Sequence, residues 1–301
     1  MNHGEYLHLL GEKKALKRMI AETPEEDVID RASLYARLEN IENAIAQAKP
    51  DEREPARVRL TFKGRPVIGG HGIFAEFGMN AVNSFAESVA AMAASLSAPL
   101  AAMGPIPNRD QHQLLITSTA LGSFGFELEE YRIGQFTLDE SSAVAQAIDR
   151  MQSLLRGTLG TDDELADSVA EADRRALEKV RAFLKTLADN EAVCTVQFGD
   201  SVVSFGDVGQ VRTSIERLSQ ENLREEYQEL HGELQGVLPS ARAFEFKLAD
   251  SSQVIRGRIA PTIVDPDALN RELHKPITIK VMVTRVGNGP PRYLIVESTP
   301  S

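Results

Sequence analysis

The stretch RAFEFKLADSSQVIRGRIA, Arg242–Ala260, predicts two short strands joined by a turn. Phe244, Phe246 and Leu248 stand at every second position, which is the pattern of a strand with one buried face. The residues ADSS between the two halves belong to types that favour turns. In QVIRGRIA apolar and basic residues alternate in the same way, so the stretch indicates neighbouring strands of a small β-barrel.

The sequence on either side completes the pattern of a five-stranded barrel over residues 224–301. Tyr227–Leu238 precedes the stretch, and Ile277–Val286 and Arg292–Ser298 follow it, each with the character of a strand. Between the third and fourth strands, DPDALNRELH, Asp265–His274, predicts a helix that begins with an aspartate cap and a proline. Five short strands with a helix after the third is the order of an OB-like barrel, and an SH3-like barrel is the alternative.

Residues 1–50 predict two helices joined by a short turn. In the segment ETPEED, Thr23 can cap the second helix, Pro24 suits its first position and Glu26 completes a capping box. Apolar residues recur at intervals of three and four, which places them on one seam. Helical pairs of this size are marginal in water, so we expect a second copy or a partner's helix to complete the burial. The predicted oligomerisation residues are Leu9, Leu16, Ile20, Leu34, Leu38, Ile41 and Ile45.

A charged segment ending in proline, KPDEREP at Lys49–Pro55, predicts a domain boundary, and residues 56–222 predict a mixed αβ domain. RVRLTF, Arg57–Phe62, alternates like a strand. TALGSFGFELEE, Thr119–Glu130, predicts the end of one strand, a turn, and a second strand with a solvated face. GTDDE, Gly160–Glu164, carries the threonine and glutamate of a capping box at a helix start. With the hairpin and the barrel, the predicted fold class is α+β.

The glycines of Thr119–Glu130 and of GGHG, Gly69–Gly72, do not fit a phosphate-binding loop. Such a loop leads from a strand into a helix, so that backbone N–H groups point at the anion. The first set of glycines leads into another strand instead, and GGHG lacks the lysine and hydroxyl residue of a P-loop. We therefore expect bulges or tight turns at both places.

The composition and charge of the chain exclude several classes of protein and of binding site. The single cysteine, Cys194, excludes an internal disulfide framework and a cysteine-based zinc site. No segment approaches the roughly 18 apolar residues of a membrane span, and the first residues lack the apolar core of a signal peptide. We expect a cytoplasmic protein with no cofactor, metal or membrane contact. Residues 237–301 hold nine Lys/Arg against six Asp/Glu in a chain of net charge −11, so the barrel is where nucleic acid would bind.

One candidate catalytic set combines histidines with an aspartate and a serine. His71 and His112 flank the β-rich part of the middle segment, and Asp110 lies beside His112. With Ser118 or Ser123 these residues would permit a hydrolase triad, although the sequence has no GxSxG nucleophile elbow.

A second candidate set consists of carboxylates on one predicted strand. Glu127 and Glu129 point to the same face, where a pair of carboxylates can hold a metal or transfer protons. A nuclease-type metal site would also need a nearby lysine, and none follows until Lys179. A solvated strand face is the simpler interpretation.

The barrel carries half of the signature of an OB fold that binds single-stranded nucleic acid. Such barrels combine a basic groove with aromatic side chains on which bases stack. Phe244 and Phe246 share a face with Leu248 and are expected in the core, which leaves Tyr293 as the aromatic candidate. The predicted nucleic-acid-binding residues are Lys247, Arg256, Arg258, Lys280, Arg285 and Arg292.

Two stretches, Leu121–Glu130 and Gly236–Pro261, resemble parts of uncharacterised bacterial proteins of similar length, over about residues 56–300. The resemblance implies no activity, and a place in a bacterial defence or mobile-element system is a hypothesis drawn from it. The leading functional hypothesis is a non-enzymatic adaptor or regulatory subunit of a bacterial multi-protein assembly, with a protein partner or a second copy bound through residues 1–50. A nucleic-acid-binding protein acting through the barrel is the alternative, and a hydrolase around the two histidines is the third hypothesis.

Overall fold

The computed structural model confirms the α+β fold class, with a helical pair at the N-terminus, a sheet with helices in the middle and a closed five-stranded barrel at the C-terminus. Glu26, Ser123 and the segment 49–54 lie outside the described residues. The structure describes residues 3–24, 27–47, 55–120, 124–131, 141–287 and 289–300.

The N-terminal helices are α1, His3–Glu22, and α2, Val28–Gln47, and they pack against each other. Leu16, Ile20 and Ile41 are buried, so the apolar seam predicted from the sequence forms the contact between the two helices. The other predicted seam residues are half-buried: Leu9, Leu34, Leu38 and Ile45.

The predicted cap of the second helix is wrong. The Thr23 hydroxyl donates to the carbonyl oxygen of Met19 at 2.7 Å, at the end of the first helix, and α2 begins only at Val28. A threonine hydroxyl can bond back to the carbonyl four residues earlier as readily as it can cap a following helix. The local pattern therefore did not decide which of the two helices the hydroxyl would serve.

The middle of the chain forms an antiparallel sheet. The strands of this part of the chain are β1, Arg57–Gly64; β2, Val67–Ile68; β3, Gly72–Ile73; β4, Leu114–Thr119; β5, Gly125–Glu130; β6, Ala192–Phe198; and β7, Ser201–Ser204. The five longer strands lie in the order β4-β5-β1-β6-β7, whereas β2 and β3 pair with each other. The face that carries Val58, Leu60 and Phe62 is buried against helices and forms the main core.

The tight turn predicted at GGHG is confirmed, whereas the turn predicted at Gly122 lies outside the described residues. GGHG makes the tight turn between β2 and β3, in which the N–H of His71 donates to the carbonyl of Ile68 and Gly69 has a positive φ of 56°. Gly125 lies opposite Thr61, where a Cβ would come within 2.1 Å of the carbonyl oxygen of Leu60. Only glycine allows β5 to approach β1 this closely.

Helices cover the buried face of the sheet. They are α3, Ala75–Ser95; α4, Ala143–Leu159; α5, Asp162–Ala170; α6, Arg174–Asp189; and α7, Val208–Arg217. The capping box predicted at the start of α5 is confirmed, because Thr161 accepts a hydrogen bond from the Glu164 N–H and the Glu164 carboxylate accepts one from the Thr161 N–H. Within the described part of the chain, no helix is long and apolar enough to cross a membrane.

The C-terminal strands close into a barrel. They are β8, Leu223–Leu238; β9, Ala243–Leu248; β10, Val254–Ile259; β11, Pro276–Val286; and β12, Arg292–Pro300. Their order around the barrel is β10-β12-β11-β8-β9, with β10 and β12 parallel and the other pairs antiparallel. This is the OB order, in which the first strand pairs with the second and fourth and the third pairs with the fifth.

The segment between the third and fourth barrel strands is a 3₁₀ helix, Pro266–Glu272, where the sequence predicts a helix. The predicted cap is present, since the Asp265 carboxylate accepts hydrogen bonds from the N–H groups of Asp267 and Ala268. The barrel has its own core around Phe246, which is fully buried.

Candidate binding groove between the barrel and the helices

An open groove of about 790 Å³ separates the barrel from the helical layer. We call it the barrel–helix groove. Its size lies in the range of sites that bind ligands in proteins. Strands β8, β11 and β12 form one side, and the loops that follow α3 and α5 form the other. The residues that line the groove include Leu100, Ala172, Arg174, Glu225, Tyr227, Lys280, Met282, Leu294 and Glu297.

The floor of the groove is apolar because side chains alternate along the barrel strands. Val281, Val283 and Ile295 point into the barrel and are buried. Their sequence neighbours Met282 and Leu294 therefore face outward, into the groove. These two residues are also direct partners across β11 and β12, so their side chains lie on the same face.

Tyr227 projects from β8 beside this floor. Its pairing partner on β11 is Met282, and 66% of its surface is exposed. The ammonium nitrogen of Lys280 lies 5.8 Å from the centre of the tyrosine ring, a cation–π distance. An exposed aromatic ring next to an apolar floor is the kind of residue that anchors a binding partner.

The rim of the groove carries both signs of charge. The groove walls desolvate the carboxyl group of Glu225 and raise its pKa, although the residue as a whole remains exposed. The Arg174 guanidinium opposes this shift of the pKa, and Asp173 adds to it. Because Glu297 stands opposite Lys280 in the strand register, a ligand would meet carboxylates and cations side by side.

Ion pairs between α5 and the barrel hold the side of the groove in place. Asp163, Asp167 and Glu171 lie four residues apart, which puts them on one face of a helix. Arg292 of β12 contacts Asp167 at 2.6 Å and Asp163 at 3.3 Å, and Arg258 of β10 contacts Glu171 at 2.6 Å. These contacts join parts of the chain that are far apart in sequence, at the place where the barrel meets α5.

Arg242 shapes the neighbouring wall. Its backbone has a positive φ of 45°, and its guanidinium donates to the carbonyl oxygens of Ile259, Ala260 and Ile263. These three carbonyl oxygens accept hydrogen bonds from three of the five N–H groups of the guanidinium. We therefore assign Arg242 a structural role in the wall, where it secures the chain that leaves β10.

The six predicted nucleic-acid-binding residues do not form one surface. Lys247 and Arg256 lie on the outer face of β9 and β10, where Arg256 pairs with Glu245 at 2.8 Å. Arg258 and Arg292 make the contacts to α5 described above. Lys280 lines the groove, and Arg285 is exposed near the end of β11. Nucleic-acid binding by this set stays a prediction.

The aromatic half of the nucleic-acid signature is also divided. Phe244 and Phe246 point into the barrel and are buried, as the sequence predicts. Tyr293 is half-buried and packs against the barrel core. The exposed aromatic of the barrel is Tyr227, which lies in the groove on another part of the barrel surface from Lys247 and Arg256.

The predicted hydrolase residues lie at opposite ends of β1. His112 is close to Glu130, whose N–H bonds to Ala56 at the start of that strand. His71 occupies the turn that follows the other end. Eight residues of strand span about 25 Å. Asp110 lies near His112 and accepts a hydrogen bond from a glutamine side chain, and Ser118 is exposed on β4.

Burial lowers the pKa of the His112 imidazole, and the nearby Glu130 carboxylate works in the opposite direction. The Nδ1 atom of His112 is buried and has no hydrogen-bond partner among the residues that the structure describes. His112 therefore lies in the protein as a neutral side chain at neutral pH, with its ring held in a partly buried site.

The predicted carboxylate pair is not an open acidic site. Glu129 is buried and forms an ion pair with Arg57 at 3.1 Å, while Glu127 is exposed. The neighbouring Glu130 accepts hydrogen bonds from the Ala56 N–H and the Ser142 hydroxyl. Across the described ranges no group of three or more His, Cys, Asp or Glu side chains could hold a metal ion.

The groove residues Tyr227, Met282 and Leu294 were not identified from the sequence. Each belongs to a correctly predicted strand, and the alternation there shows that it points out of the barrel. Nothing in the local pattern shows that the outward face at these positions meets the loop after α5.

Comparison with protein-family models, curated proteins and solved structures gave no match.

Proposed function

We propose that this protein is a non-enzymatic adaptor or regulatory subunit of a multi-protein assembly that binds an extended segment of a protein partner in the barrel–helix groove. The observation that carries the proposal is the apolar floor of Met282 and Leu294, with the exposed ring of Tyr227 beside it and a polar rim around it. An apolar centre with a polar rim is the anatomy of a protein interface.

The mixed charge of the rim favours a polypeptide over a nucleic acid. A polyanion in the groove would meet carboxylates interspersed among the cations, and like charges at contact weaken binding. The acidic lining residues are Glu171, Asp173, Glu225 and Glu297, and the basic ones are Arg150, Arg174, Arg242, Arg258 and Lys280. A peptide segment can place apolar side chains on the floor and its own backbone groups and charges on the rim. A protein partner therefore suits the groove better than a strand of DNA or RNA does.

Photo-crosslinking from the groove tests the proposal. A photoreactive amino acid at Met282, in the full chain produced in cells, should capture a partner that mass spectrometry then identifies. The matched control places the same amino acid at Val254, an exposed residue that does not line the groove. Capture of the same proteins from both positions, or of none from Met282, would contradict groove binding.

Binding of the purified partner gives the quantitative test. Tyr227→Ala should weaken the complex by about 30-fold, because a central aromatic is worth about 2 kcal/mol at an interface. Leu294→Glu should weaken it further, since it places a charged group on the apolar floor that the partner would cover. Val254→Glu serves as the control and should leave the affinity unchanged.

Nucleic-acid binding through the barrel is the second candidate, and the cation–π pair of Lys280 and Tyr227 is the observation that favours it. Fluorescence anisotropy with a single-stranded oligonucleotide at low and high salt tests it. Binding that falls steeply with salt and is lost in a Lys280→Glu, Tyr227→Ala double variant would support this candidate. Absence of binding at low salt would eliminate it.

Self-association or partner binding through residues 1–50 is a further part of the proposal. In the structure the seam residues contact each other within the hairpin. An assembly would therefore use the seam residues that stay half-buried, such as Leu34 and Leu38. A cytoplasmic location agrees with the single thiol. A bacterial defence or mobile-element setting rests on the sequence resemblance alone.

A further inference from the structure

The strand β4 ends the five-stranded sheet, and its outer edge pairs with no other strand in the described part of the chain. Its sequence is LLITST. Leu114 is half-buried and the other five residues are exposed, with 40% of Leu115 and 59% of Ile116 accessible to solvent. An exposed edge strand offers backbone N–H and C=O groups that another strand can bind.

Within the described residues, this edge lacks most of the devices that usually protect the edge of a sheet. Natural edge strands carry lysine or other charges, proline, or a cover of helix or loop. None of the six residues of β4 is charged or proline. A bulge between Ile116 and Ser118 is its single irregularity, and it leaves Leu114–Ile116 as the regular part of the strand.

Leu115 and Ile116 are exposed on opposite faces of the sheet. Leu115 lies opposite Glu129, on the outer polar face, whereas Ile116 lies opposite the buried Leu128, on the face that the helices cover further inward. The helical layer therefore does not extend over Ile116. A strand added beside β4 would cover both side chains, one on each face.

At the opposite edge of the same sheet, α4 contacts Ser201, the first residue of β7. Gln152 donates to the carbonyl oxygen of Ser201 in β7, and Arg156 donates to the Ser201 hydroxyl. The edge at β7 therefore receives hydrogen bonds from a helix. Like β4, it carries an exposed β-branched residue, Val202. This contrast provides a matched control for the edge at β4.

We propose that β4 pairs with β4 of a second copy of this chain, antiparallel, so that the two sheets join around a twofold axis near Leu115 and Ile116. The uncharged edge is the reason for a second copy, because a strand that selects a different partner can use charge complementarity and β4 has none to offer. Antiparallel pairing of a strand with its own copy is self-complementary, because every contact of residue i with residue j is repeated as a contact of j with i. Such twofold dimers are the commonest oligomers.

The net charge of −11 predicts how this dimer responds to salt. Two acidic copies repel each other at long range, and salt screens that repulsion beyond about 10 Å. Association should therefore tighten as the ionic strength rises. A complex with an oppositely charged partner would weaken under the same change.

Sedimentation equilibrium of the full chain tests the proposal. Ile116→Lys should raise the dimer dissociation constant by at least about tenfold, because it brings like charges together at the twofold axis. Val202→Lys on β7 should leave the constant unchanged. A monomeric wild-type protein, an equal effect of both variants or an unchanged constant for Ile116→Lys would overturn the proposal.

Cysteine crosslinking provides a second measurement that does not depend on weakening the dimer. The native Cys194 is buried, and burial raises the pKa of its thiol, so it does not compete. Leu115→Cys or Ile116→Cys should form a disulfide-linked dimer under mild oxidation, and Val202→Cys should not. Failure of both β4 variants to crosslink would overturn the pairing, whereas the groove experiments would be unaffected.

Discussion

Replacement of Arg217 by alanine should loosen the packing of α7 against the C-terminal end of α4. The Nη1 group of Arg217 donates to the carbonyl oxygens of Thr158 and Gly160 at 2.7 Å, at the end of α4, and Nη2 lies 2.8 Å from Asp162. The side chain is 18% exposed. The Arg217 carbonyl in turn accepts a hydrogen bond from Asn222, just before the first barrel strand.

The size of the effect follows from these contacts. A hydrogen bond to a charged group is worth about 1.5–3 kcal/mol, and a cation at a helix C-terminus adds up to about 2 kcal/mol. The pair with Asp162 adds little, because that carboxylate is half exposed and screened by solvent. Since these terms overlap, we expect a total loss of about 3 kcal/mol, equivalent to a fall in Tm of about 5 °C for a chain of 301 residues.

Denaturant unfolding and thermal melts of the wild-type protein and of the variants Arg217→Ala and Arg212→Ala measure the loss of unfolding free energy and the fall in Tm. Arg212 is exposed on the same helix, and its removal should change the stability by no more than about 0.5 kcal/mol. Arg217→Lys should recover only part of the loss, because an ammonium group cannot donate to two carbonyls and a carboxylate in the fork geometry. Equal stability of Arg217→Ala and Arg212→Ala would refute the assignment.

Three further predictions address the sheet, the partly buried histidine and the hairpin. Gly125→Ala should lower the free energy of unfolding by more than about 3 kcal/mol, because the new Cβ would lie 2.1 Å from a backbone oxygen, while Gly236→Ala, which meets nothing within 4 Å, should not show a comparable loss; melts of both measure this. His112 has a pKa lowered in the fold, so the unfolded chain binds more protons, and its contribution to stability should be present above pH 6.5 and be lost as the pH falls below it; His112→Gln should reduce the slope of Tm against pH in that range, and an unchanged slope would contradict the burial. Light scattering should show a smaller oligomer for a chain that begins at Glu54 than for the full chain, and equal masses would remove residues 1–50 as an assembly element.

The sequence by itself determined the elements whose signal is local. The alternation in Phe244–Leu248 and Ile277–Val286 specifies which side chains enter the barrel, because a strand exposes its two faces in turn. The capping box at Thr161 marks the start of α5 for the same reason, since both of its hydrogen bonds lie within one turn of helix. These features require no knowledge of what packs outside them.

Only the tertiary structure decided where the candidate site lies. Arg292 and Asp167 are far apart in the chain and meet because the barrel docks on α5. The groove lies between the barrel and the loop that follows this helix. Tyr227 and Met282 point outward in the sequence pattern, but a pattern of period two cannot distinguish an outward residue in open solvent from one that faces another element. The separation of His71 from His112 was likewise decided by the fold, because His71 lies in the turn between β2 and β3 whereas His112 lies near Glu130. The sequence carries no local signal for these neighbours.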